Sequence, residues 1–287
     1  MPMGIGGIPA GEPGSYNDMS LTTFIAFLAG LGLFLGSVFI STDNYLLFVD
    51  LASLLMVVGG TLAATFMGQE ARYVLLALRS MFGIMRVQRI GRGILNQEVG
   101  RIIRWGYIVQ AKGVLALEAE VKKVQGDEFL HFGVELVVTG YEGEDVRAIM
   151  NNMAATTFER NMVQVGILKN MANTAPAFGM VGTLVGLIIM LDTMGSDPAS
   201  LGPALAVALC TTLYGVLLAR LLLMPAAQKL QQRQEIMRFR NELMAEGLAL
   251  LAERNSPRYI QDKMNSFLDP AIRFNIDQQL KREQRAA

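Results

Sequence analysis

The amino-acid sequence predicts an all-α membrane protein, with four transmembrane helices in two hairpins and a helical cytoplasmic domain. The composition, four long apolar runs and the placement of the basic residues all favour this fold class. Of the 287 residues, 52% are hydrophobic and only 17% are charged, whereas about a quarter of the residues of a soluble protein are charged. The apolar runs lack the polar faces that the helices of a soluble bundle need, so the sequence favours a membrane protein.

The apolar runs follow one another in two pairs. They extend over roughly Leu21–Ile40, Tyr45–Met67, Met171–Met194 and Leu201–Met224. Each approaches or exceeds the roughly 20 residues that a helix needs to cross a hydrocarbon core about 30 Å thick. Only STDN separates the first two runs and only GSDPAS the last two, so we predict transmembrane hairpins at 21–67 and 171–226. The Gly- and Pro-rich residues 1–20 are predicted to form a flexible N-terminal tail.

The basic residues indicate how the hairpins are oriented. Neither hairpin loop contains Lys or Arg, whereas both residue types are frequent in residues 68–170 and 227–287. In membrane proteins the cytoplasmic segments carry the excess of Lys and Arg. We therefore predict a cytoplasmic helical domain at 68–170, a cytoplasmic C-terminal helix and tail at 227–287, and both termini in the cytoplasm.

Both cytoplasmic segments have the pattern of helices with defined ends. In the first, amphipathic helices are interrupted at Gly113, Gly126 and Gly140. In the second, one helix is predicted from about Ala226 to Glu253, ending before Pro257, because proline pushes the preceding residue out of helical geometry. Apolar residues recur there every seven positions, a spacing that favours packing against a neighbour, at Leu230, Met237, Met244 and Leu251.

The sequence offers no candidate for catalysis. The single His131 has no cysteine or second histidine with which to form a metal site, and no Walker loop, GxSxG or HExxH occurs. Glu142, Glu144 and Asp145 flank Gly143 in a predicted turn, where acids are typical helix N-caps. We therefore expect no enzyme activity, no cofactor and no bound metal. The net charge is zero, so nothing indicates a nucleic-acid partner.

Hydroxyl groups are predicted at one level of the second hairpin. Thr183 lies eleven residues before the end of the third run, and Thr212 eleven residues after the start of the fourth. At 1.5 Å per residue, both lie about 16 Å below the same membrane face. Thr211 and Tyr214 are close to Thr212 in sequence. Such a layer offers neutral oxygen ligands to a partly dehydrated cation. The alternative is that each threonine bonds a carbonyl of its own helix one turn earlier.

The third run also contains residues that weaken a helix. Pro176 leaves the carbonyl of Ala172 without its helical donor, so we expect a kink or hinge there. Gly179, Gly182 and Gly186 favour the close approach of another helix. The hairpin is therefore predicted to press against a further helix while exposing hydroxyl groups to it.

No acidic residue lies near the middle of any apolar run. Ion-coupled membrane proteins commonly place a carboxylate in the ion pathway, so a carboxylate for this chain has to come from another protein. Asp50 is predicted near the outer face. There it either receives the incoming cation or stabilises the N-terminus of its helix through the macrodipole.

The sequence resembles the MotA/PomA family, the larger subunit of the flagellar stator, over nearly the whole chain after the N-terminal tail. FVDLASLLMVVGG, which contains Asp50, resembles the second-span motif, and GVLALE and GVELVVTGYEGEDVRAIM resemble cytoplasmic motifs. APAFGMVGTLVGL and AVALCTTLYGVLLARLLLMPAAQKL resemble the third and fourth spans, with the two prolines of the family at Pro176 and Pro225. NSPR near the C-terminus is also typical of the family.

The resemblance implies a multi-pass protein of the bacterial inner membrane. It implies five copies in a ring around two copies of a MotB/PomB-type partner, whose single transmembrane helix supplies the missing aspartate. Ion flow is implied to turn the ring, and the cytoplasmic domain to engage a FliG-type rotor protein. Pro176 and Pro225 are implied to couple the ion site to movement in the cytoplasm.

The same resemblance favours one transported ion over another. Thr183 matches a position that is threonine in sodium-type members and usually alanine in proton-type ones, and Thr211 and Thr212 lie in a TTLYG motif like that of sodium types. Sodium needs several oxygen ligands, whereas a proton needs only a titrating acid and a water path, so sodium is favoured. The alternatives are a proton-driven stator, the related ExbB/TolQ class that energises outer-membrane processes, and a scaffold whose threonines only pack. ExbB/TolQ members usually have three spans.

The predicted rotor contact departs from the family. Members usually carry a basic residue at the position of Gln110, whereas Glu118 matches the family glutamate. Lys112 is the nearest charge to Gln110, so we hypothesise that Arg104, Lys112 and Glu118 share the contact. Arg220 in the fourth run is a second departure, and we expect its side chain to reach the cytoplasmic headgroups.

Overall fold

The computed structural model describes residues 21–43, 45–83, 92–122, 126–193, 201–268 and 270. The predicted N-terminal tail, the GSDPAS loop and the end of the C-terminal tail lie outside these residues. Every regular element among the described residues is helical, which confirms the predicted all-α class. The α-helices are α1 Leu21–Ser41, α2 Leu51–Gly68, α3 Ala71–Gly83, α4 Arg92–Lys112, α5 Leu117–Val121, α6 Glu128–Thr139, α7 Gly143–Thr193, α8 Leu201–Leu217, α9 Met224–Ala252 and α10 Pro257–Asn265.

Short helices of other types connect some of these elements. Turns of 3-10 helix cover Tyr45–Phe48 and Val114–Ala116. A π-helix covers Leu218–Leu223 and joins α8 directly to α9. Helix α9 corresponds closely to the predicted helix from about Ala226 to Glu253.

Among the residues that the structure describes, three helical stretches are long and apolar enough to cross a membrane: Leu51–Gly68, Gly143–Asp192 and Leu201–Ala252. A shorter apolar helix covers Leu28–Ser41, within the first predicted span. Large apolar side chains on these helices are exposed, among them Ile40, Met67 and Ile188. Side chains that face lipid have this character. These features fit a membrane protein, while the count of four spans stays a prediction.

The chain divides into two compact units, each formed from two segments. The first comprises Met1–Gln88 and Val163–Gln231, and the second comprises Arg89–Met162 and Gln232–Ala287. Helices α7 and α9 contribute residues to both units. These units are defined by contacts within the chain, whereas the segments predicted from the sequence are defined by apolar runs. The predicted segment limits therefore stay predictions.

In the first unit, α2 packs against α8. It buries a stripe of small and hydroxylated side chains four residues apart, namely Ser53, Val57, Thr61 and Thr65. The hydroxyls of Thr61 and Thr65 donate to carbonyls one turn earlier, at 2.6 and 2.7 Å. These two hydroxyls therefore satisfy their hydrogen bonds inside α2, as membrane threonines often do.

In the second unit, α4 and α6 end directly before the predicted glycines Gly113 and Gly140, and Gly126 lies two residues before α6. Gly113, Gly126 and Gly140 have φ angles of 82°, 83° and 93°, in the left-handed region that residues with a Cβ rarely adopt. At the end of α6, the N–H of Gly140 bonds the carbonyl of Val137 at 3.2 Å, and the N–H of Tyr141 bonds that of Leu136 at 3.2 Å. This is the Schellman arrangement of helix C-termini.

The core of the second unit contains side chains of α4, α6, α9 and α10. Met244 and Leu251, two of the residues predicted to pack at seven-residue spacing, are fully buried in it. After α9, Ser256 has a ψ of 143° and accepts the N–H of Tyr259, and Pro257 opens α10. Proline thus ends the helical run as the sequence predicts.

A buried ionic cluster lies beside this core. Arg240 of α9 pairs with Glu98 of α4 at 2.9 Å and with Asp127, the N-cap residue of α6. Burial lowers the pKa of Arg240, but the charges and hydrogen bonds of Glu98 and Asp127 outweigh burial and hold the pKa above its ordinary value. The cluster ties three helices together through one guanidinium group.

Candidate ion site

The glycines of α7 lie directly against α8. A Cβ atom on Gly182 would lie 2.6 Å from the Cβ of Thr211, and one on Gly186 would lie 2.6 Å from the Cβ of Ala208. A Cβ on Gly179 would lie 2.9 Å from the carbonyl oxygen of Thr211. The sequence alone predicts a further helix at this face, but the structure places α8 of the same hairpin there. The glycines therefore serve packing within the chain.

One glycine of the contact is not among the predicted site residues. A Cβ on Gly215 would lie 2.7 Å from the carbonyl oxygen of Ala175. Gly215 follows Thr211 by four residues, so both lie on the same face of α8. This four-residue spacing is the sequence signal from which a role of Gly215 in the helix contact could have been predicted.

The close helix contact brings together three hydroxyl groups, those of Thr183, Thr211 and Thr212, which we call the threonine group. The Oγ1 atom of Thr183 lies 2.5 Å from that of Thr212 and 3.4 Å from that of Thr211. Thr211 is buried, and the other two are half-buried. The predicted common level of these hydroxyls is confirmed.

Backbone carbonyls complete the surroundings of the threonine group. The Thr183 hydroxyl is 2.9 Å from the carbonyl oxygen of Ala208 and 3.1 Å from that of Gly179. Thr211 donates to Ala208 at 2.7 Å, and Thr212 to Gly179 at 3.3 Å. Thr183 and Thr211 thus bond carbonyls of their own helices, as one predicted alternative states, whereas Thr212 bonds a carbonyl of α7. The binding of a cation stays a prediction. Each hydroxyl keeps lone pairs after donating its one proton, so five oxygens lie close together.

The structure directs the hydroxyl of Tyr214 away from the threonine group. It donates to the carbonyl of Phe48 at 2.5 Å and accepts the N–H of Asp50 at 2.9 Å. Tyr214 lies two residues beyond Thr212, about 200° around an α-helix. The prediction that the Tyr214 hydroxyl belongs to the same layer is therefore wrong. The position of a residue along a helix does not determine the direction in which its side chain points.

Asp50 occupies the N-cap position of α2. Its Oδ2 atom accepts the N–H of Ser53 at 2.7 Å. The carboxylate thus caps the start of α2, while the predicted role of Asp50 in receiving the cation stays a prediction. None of the hydrogen bonds described for Asp50 reaches the threonine group.

The chain is similar in sequence to known proteins over most of its length. The sequence profile of the MotA/TolQ/ExbB proton channel family matches residues 121–243. The chain is 30% identical over 267 residues to the chemotaxis protein PomA of Vibrio alginolyticus, covering 91% of this chain and 100% of PomA. It is 33% identical over 252 residues to motility protein A of Cereibacter sphaeroides, covering 88% of this chain and 96% of that protein. The chain belongs to the MotA/PomA family.

The fold is that of a solved relative of this family. The flagellar MotAB stator complex from Bacillus subtilis contains a chain that matches with a TM-score of 0.76 and 24% sequence identity. The match covers 91% of this chain and 98% of the solved one. The similarity therefore extends over both compact units.

The two prolines expected from the MotA/PomA resemblance have different surroundings. Pro176 is half-buried inside α7, which continues on both sides of it. Pro225 is exposed, and it is the second residue of α9, immediately after the π-helix Leu218–Leu223. This π-helix is absent from the sequence predictions. Its signal is the missing N–H of Pro225, which leaves the carbonyl of Leu221 without an α-helical donor.

The expected rotor-contact residues are exposed in the second unit. Arg104 and Lys112 lie on α4, and Glu118 lies on the short α5. Glu118 forms an exposed ion pair with Lys122 at 2.9 Å. This pair is absent from the sequence predictions, although a spacing of four residues is its signal. Among the described ion pairs and hydrogen bonds, none joins Arg104, Lys112 and Glu118 to each other.

Proposed function

We propose that this chain is the ion-conducting stator subunit of a bacterial flagellar motor, which converts cation flow across the inner membrane into torque on the rotor. Membership of the MotA/PomA family supports the proposal. So does the shared fold with a chain of the solved flagellar stator complex. The transported ion is a substrate that passes through, and the chain performs no enzymatic reaction.

The observation that carries the proposal is the threonine group. Three hydroxyl and two carbonyl oxygens lie together between two helices that are apolar enough to span a membrane. A cation that leaves water needs replacement oxygen ligands. This group supplies neutral ligands and no negative charge, so the charge comes from the membrane aspartate of a MotB/PomB-type partner.

We favour sodium as the ion. A proton would need a titrating acid and a water path, and the hydroxyls would be dispensable. Sodium takes several oxygen ligands, which is what the α7–α8 contact offers. A proton-driven stator is the second candidate, because the carbonyls of Gly179 and Ala208 also give the hydroxyls a packing role. The matched family profile describes proton channels.

The proposed assembly is a ring of five copies around two partner subunits. Four spans, at 21–67 and 171–226, would place both termini and the second unit in the cytoplasm. There the surface that carries Arg104, Lys112 and Glu118 would meet a FliG-type rotor protein. Pro176 and Pro225 would transmit movement from the ion site to that surface.

The proposal is tested by swimming speed as a function of external sodium at fixed pH, in a strain without its own stator that expresses this chain and its partner. Thr183→Ala removes the central hydroxyl, and we expect speed to fall severalfold at limiting sodium. Thr183→Ser keeps the hydroxyl and should retain function. Thr174→Ala is the matched control, because Thr174 lies on the same helix and bonds only the carbonyl of Asn170 among the described residues.

Two results would contradict the proposal. If speed follows the proton gradient and ignores sodium, the ion is a proton. If the strain does not swim but an outer-membrane uptake process depends on the chain, the ExbB/TolQ-type function is correct.

A further inference from the structure

Polar contacts fasten the start of α2 to α8. The Tyr214 hydroxyl donates to the carbonyl of Phe48 and accepts the N–H of Asp50, at 2.5 and 2.9 Å. A phenol has one proton and two acceptor lone pairs, so it can form both bonds at once. The backbone is thus held on both sides of Val49 by a single side chain of another helix.

The side chain of Asp50 is held by Ser53, a residue of α2 that itself contacts α8. Its carboxylate accepts the N–H of Ser53 at 2.7 Å. The Ser53 hydroxyl in turn donates to the carbonyl of Val207 on α8 at 3.1 Å. Both the backbone and the carboxylate of Asp50 therefore depend on α8 for their position.

The stretch of α8 that makes these contacts also carries the threonine group. Val207 and Tyr214 face the start of α2, while Ala208, Thr211 and Thr212 face α7. This stretch is only about two helical turns long. Asp50 and the threonine group are consequently attached to neighbouring faces of one short stretch of α8.

The surroundings of Tyr214 favour a persistent contact. Tyr214 borders a cavity of about 140 Å³ whose other walls are apolar, formed chiefly by Phe34, Phe39, Tyr45, Phe48 and Leu213. Few polar groups compete there for the phenol. A hydrogen bond in apolar surroundings is electrostatically stronger than one in water.

We propose that Tyr214 is a positioning residue for Asp50, an inference that rests on the proposed function. The anchored carboxylate provides a fixed negative charge on the segment that is fastened to α8, and this charge attracts the cation before it reaches the hydroxyls. Without the Tyr214 hydroxyl, the Asp50 carboxylate would move over a wider range. Cation capture would weaken, while the threonine group, and with it the maximal rate, would be retained.

The test compares Tyr214→Phe with Tyr45→Phe in the complex with the partner subunit. Tyr45 borders the same cavity, so the control removes one phenolic oxygen from the same surroundings but leaves the anchor in place. Hydrogen–deuterium exchange is measured at the amide of Asp50. We expect roughly three- to tenfold faster exchange in Tyr214→Phe, the scale expected for loss of one hydrogen bond, and no change in Tyr45→Phe.

Swimming speed against cation concentration supplies the functional readout. In Tyr214→Phe the half-saturating concentration should rise severalfold at nearly unchanged maximal speed, and Asp50→Asn should raise it at least as much. The double variant should be no worse than Asp50→Asn alone, because residues that act as a unit are not additive. A merely structural role for Tyr214 would instead lower the maximal speed and add to the effect of Asp50→Asn.

The outcomes separate this inference from the proposed function. Unchanged amide exchange, additive variants or an unchanged half-saturating concentration each overturn the positioning role. A wild-type response that ignores the cation concentration overturns the proposed function and the positioning role together. Faster exchange in Tyr214→Phe would in that case still support the anchor itself.

Discussion

A Cβ atom on Gly215 would lie 3.2 Å from the Cα atom of Gly179, so α7 and α8 touch at this pair with their backbones. The same atom would lie only 2.7 Å from the carbonyl oxygen of Ala175. These obstacles are backbone atoms, which cannot rotate away as a side chain can. The threonine group next to this pair depends on the contact, because its oxygens come from both helices.

Gly215→Ala should therefore destabilise the contact and separate the hydroxyls. We expect a loss of about 1 to 3 kcal/mol, the usual cost of overpacking, together with loss of motility. Thermal unfolding of the purified protein in detergent measures the first effect, and swimming measures the second.

Gly166→Ala is the matched control for this prediction. Gly166 lies inside α7, and a Cβ there would have no atom within 4 Å. Alanine suits a helix better than glycine by roughly 0.5 to 1 kcal/mol, so this variant should be neutral or slightly more stable. Equal melting temperatures for Gly215→Ala and wild type would show that the helices are not in backbone contact.

Much of the fold follows from local rules that the sequence displays. The long helices follow from uninterrupted apolar runs, and the helix ends at Gly113 and Gly140 follow from the positive φ that glycine permits. The meeting of Thr183 with Thr212 is predictable because the rise of a helix is fixed and the hairpin loop is short.

Other features depend on direction or on distant residues, which spacing does not supply. Tyr214 shares the approximate level of Thr212 but points to another face of α8. Arg240 meets Glu98 across 142 residues of sequence, and no local pattern predicts such a pair. The helix that covers the α7 glycines belongs to the same chain, which the glycine spacing alone leaves open.

Arg240→Gln should strongly destabilise the second unit. Its side chain is only 7% exposed and that of Glu98 only 9%, so the substitution removes the buried cation and leaves Glu98 with Arg101, at 2.7 Å, as its remaining ionic partner. Removing one member of a buried ion pair costs about 3 to 5 kcal/mol. We expect a value near the lower limit, because Glu98 keeps its ion pair with Arg101 and the side chain of Asp127 is 21% exposed, so that water can solvate it. Chemical unfolding of the whole chain measures the change.

Arg238→Gln provides the comparison on the same helix. Arg238 pairs with Glu242 at 2.7 Å, but both side chains are more than 40% exposed, and such pairs contribute at most about 0.5 kcal/mol.

The raised pKa of Arg240 means that its charge contributes stability at every pH below the ordinary arginine pKa. That contribution disappears only when the pH rises through the folded value. A similar loss of stability in both variants would contradict a special role for the buried cluster.

Pro225→Ala should restore a backbone donor at the junction of the π-helix and α9. The carbonyl of Leu221 could then form an ordinary α-helical bond, so the junction should become stiffer and the protein no less stable. If this junction transmits movement, speed under viscous load should fall although the fold is kept. Swimming speed at several viscosities and thermal unfolding are both measured for Pro225→Ala and for the wild type.

Pro203→Ala is the control for the junction variant. Pro203 is exposed in the first turn of α8, where a helix needs no N–H donor. The Pro203→Ala variant should therefore have nearly the same stability and swimming speed as the wild type. Normal speed under load in Pro225→Ala would exclude a coupling role for this proline.

Glu118→Lys tests the proposed rotor contact. The ion pair of Glu118 with Lys122 joins side chains that are 59% and 71% exposed, so its loss should cost only about 0.3 kcal/mol, and the fold should persist. If Glu118 meets a basic group of the rotor protein, reversing its charge should abolish binding to that protein and stop swimming.

Lys122→Ala is the control. It breaks the same ion pair but keeps the carboxylate, so the variant should bind the rotor protein and support almost normal swimming. Equal defects in both variants would assign the effect to the ion pair, and normal swimming of Glu118→Lys would remove Glu118 from the contact.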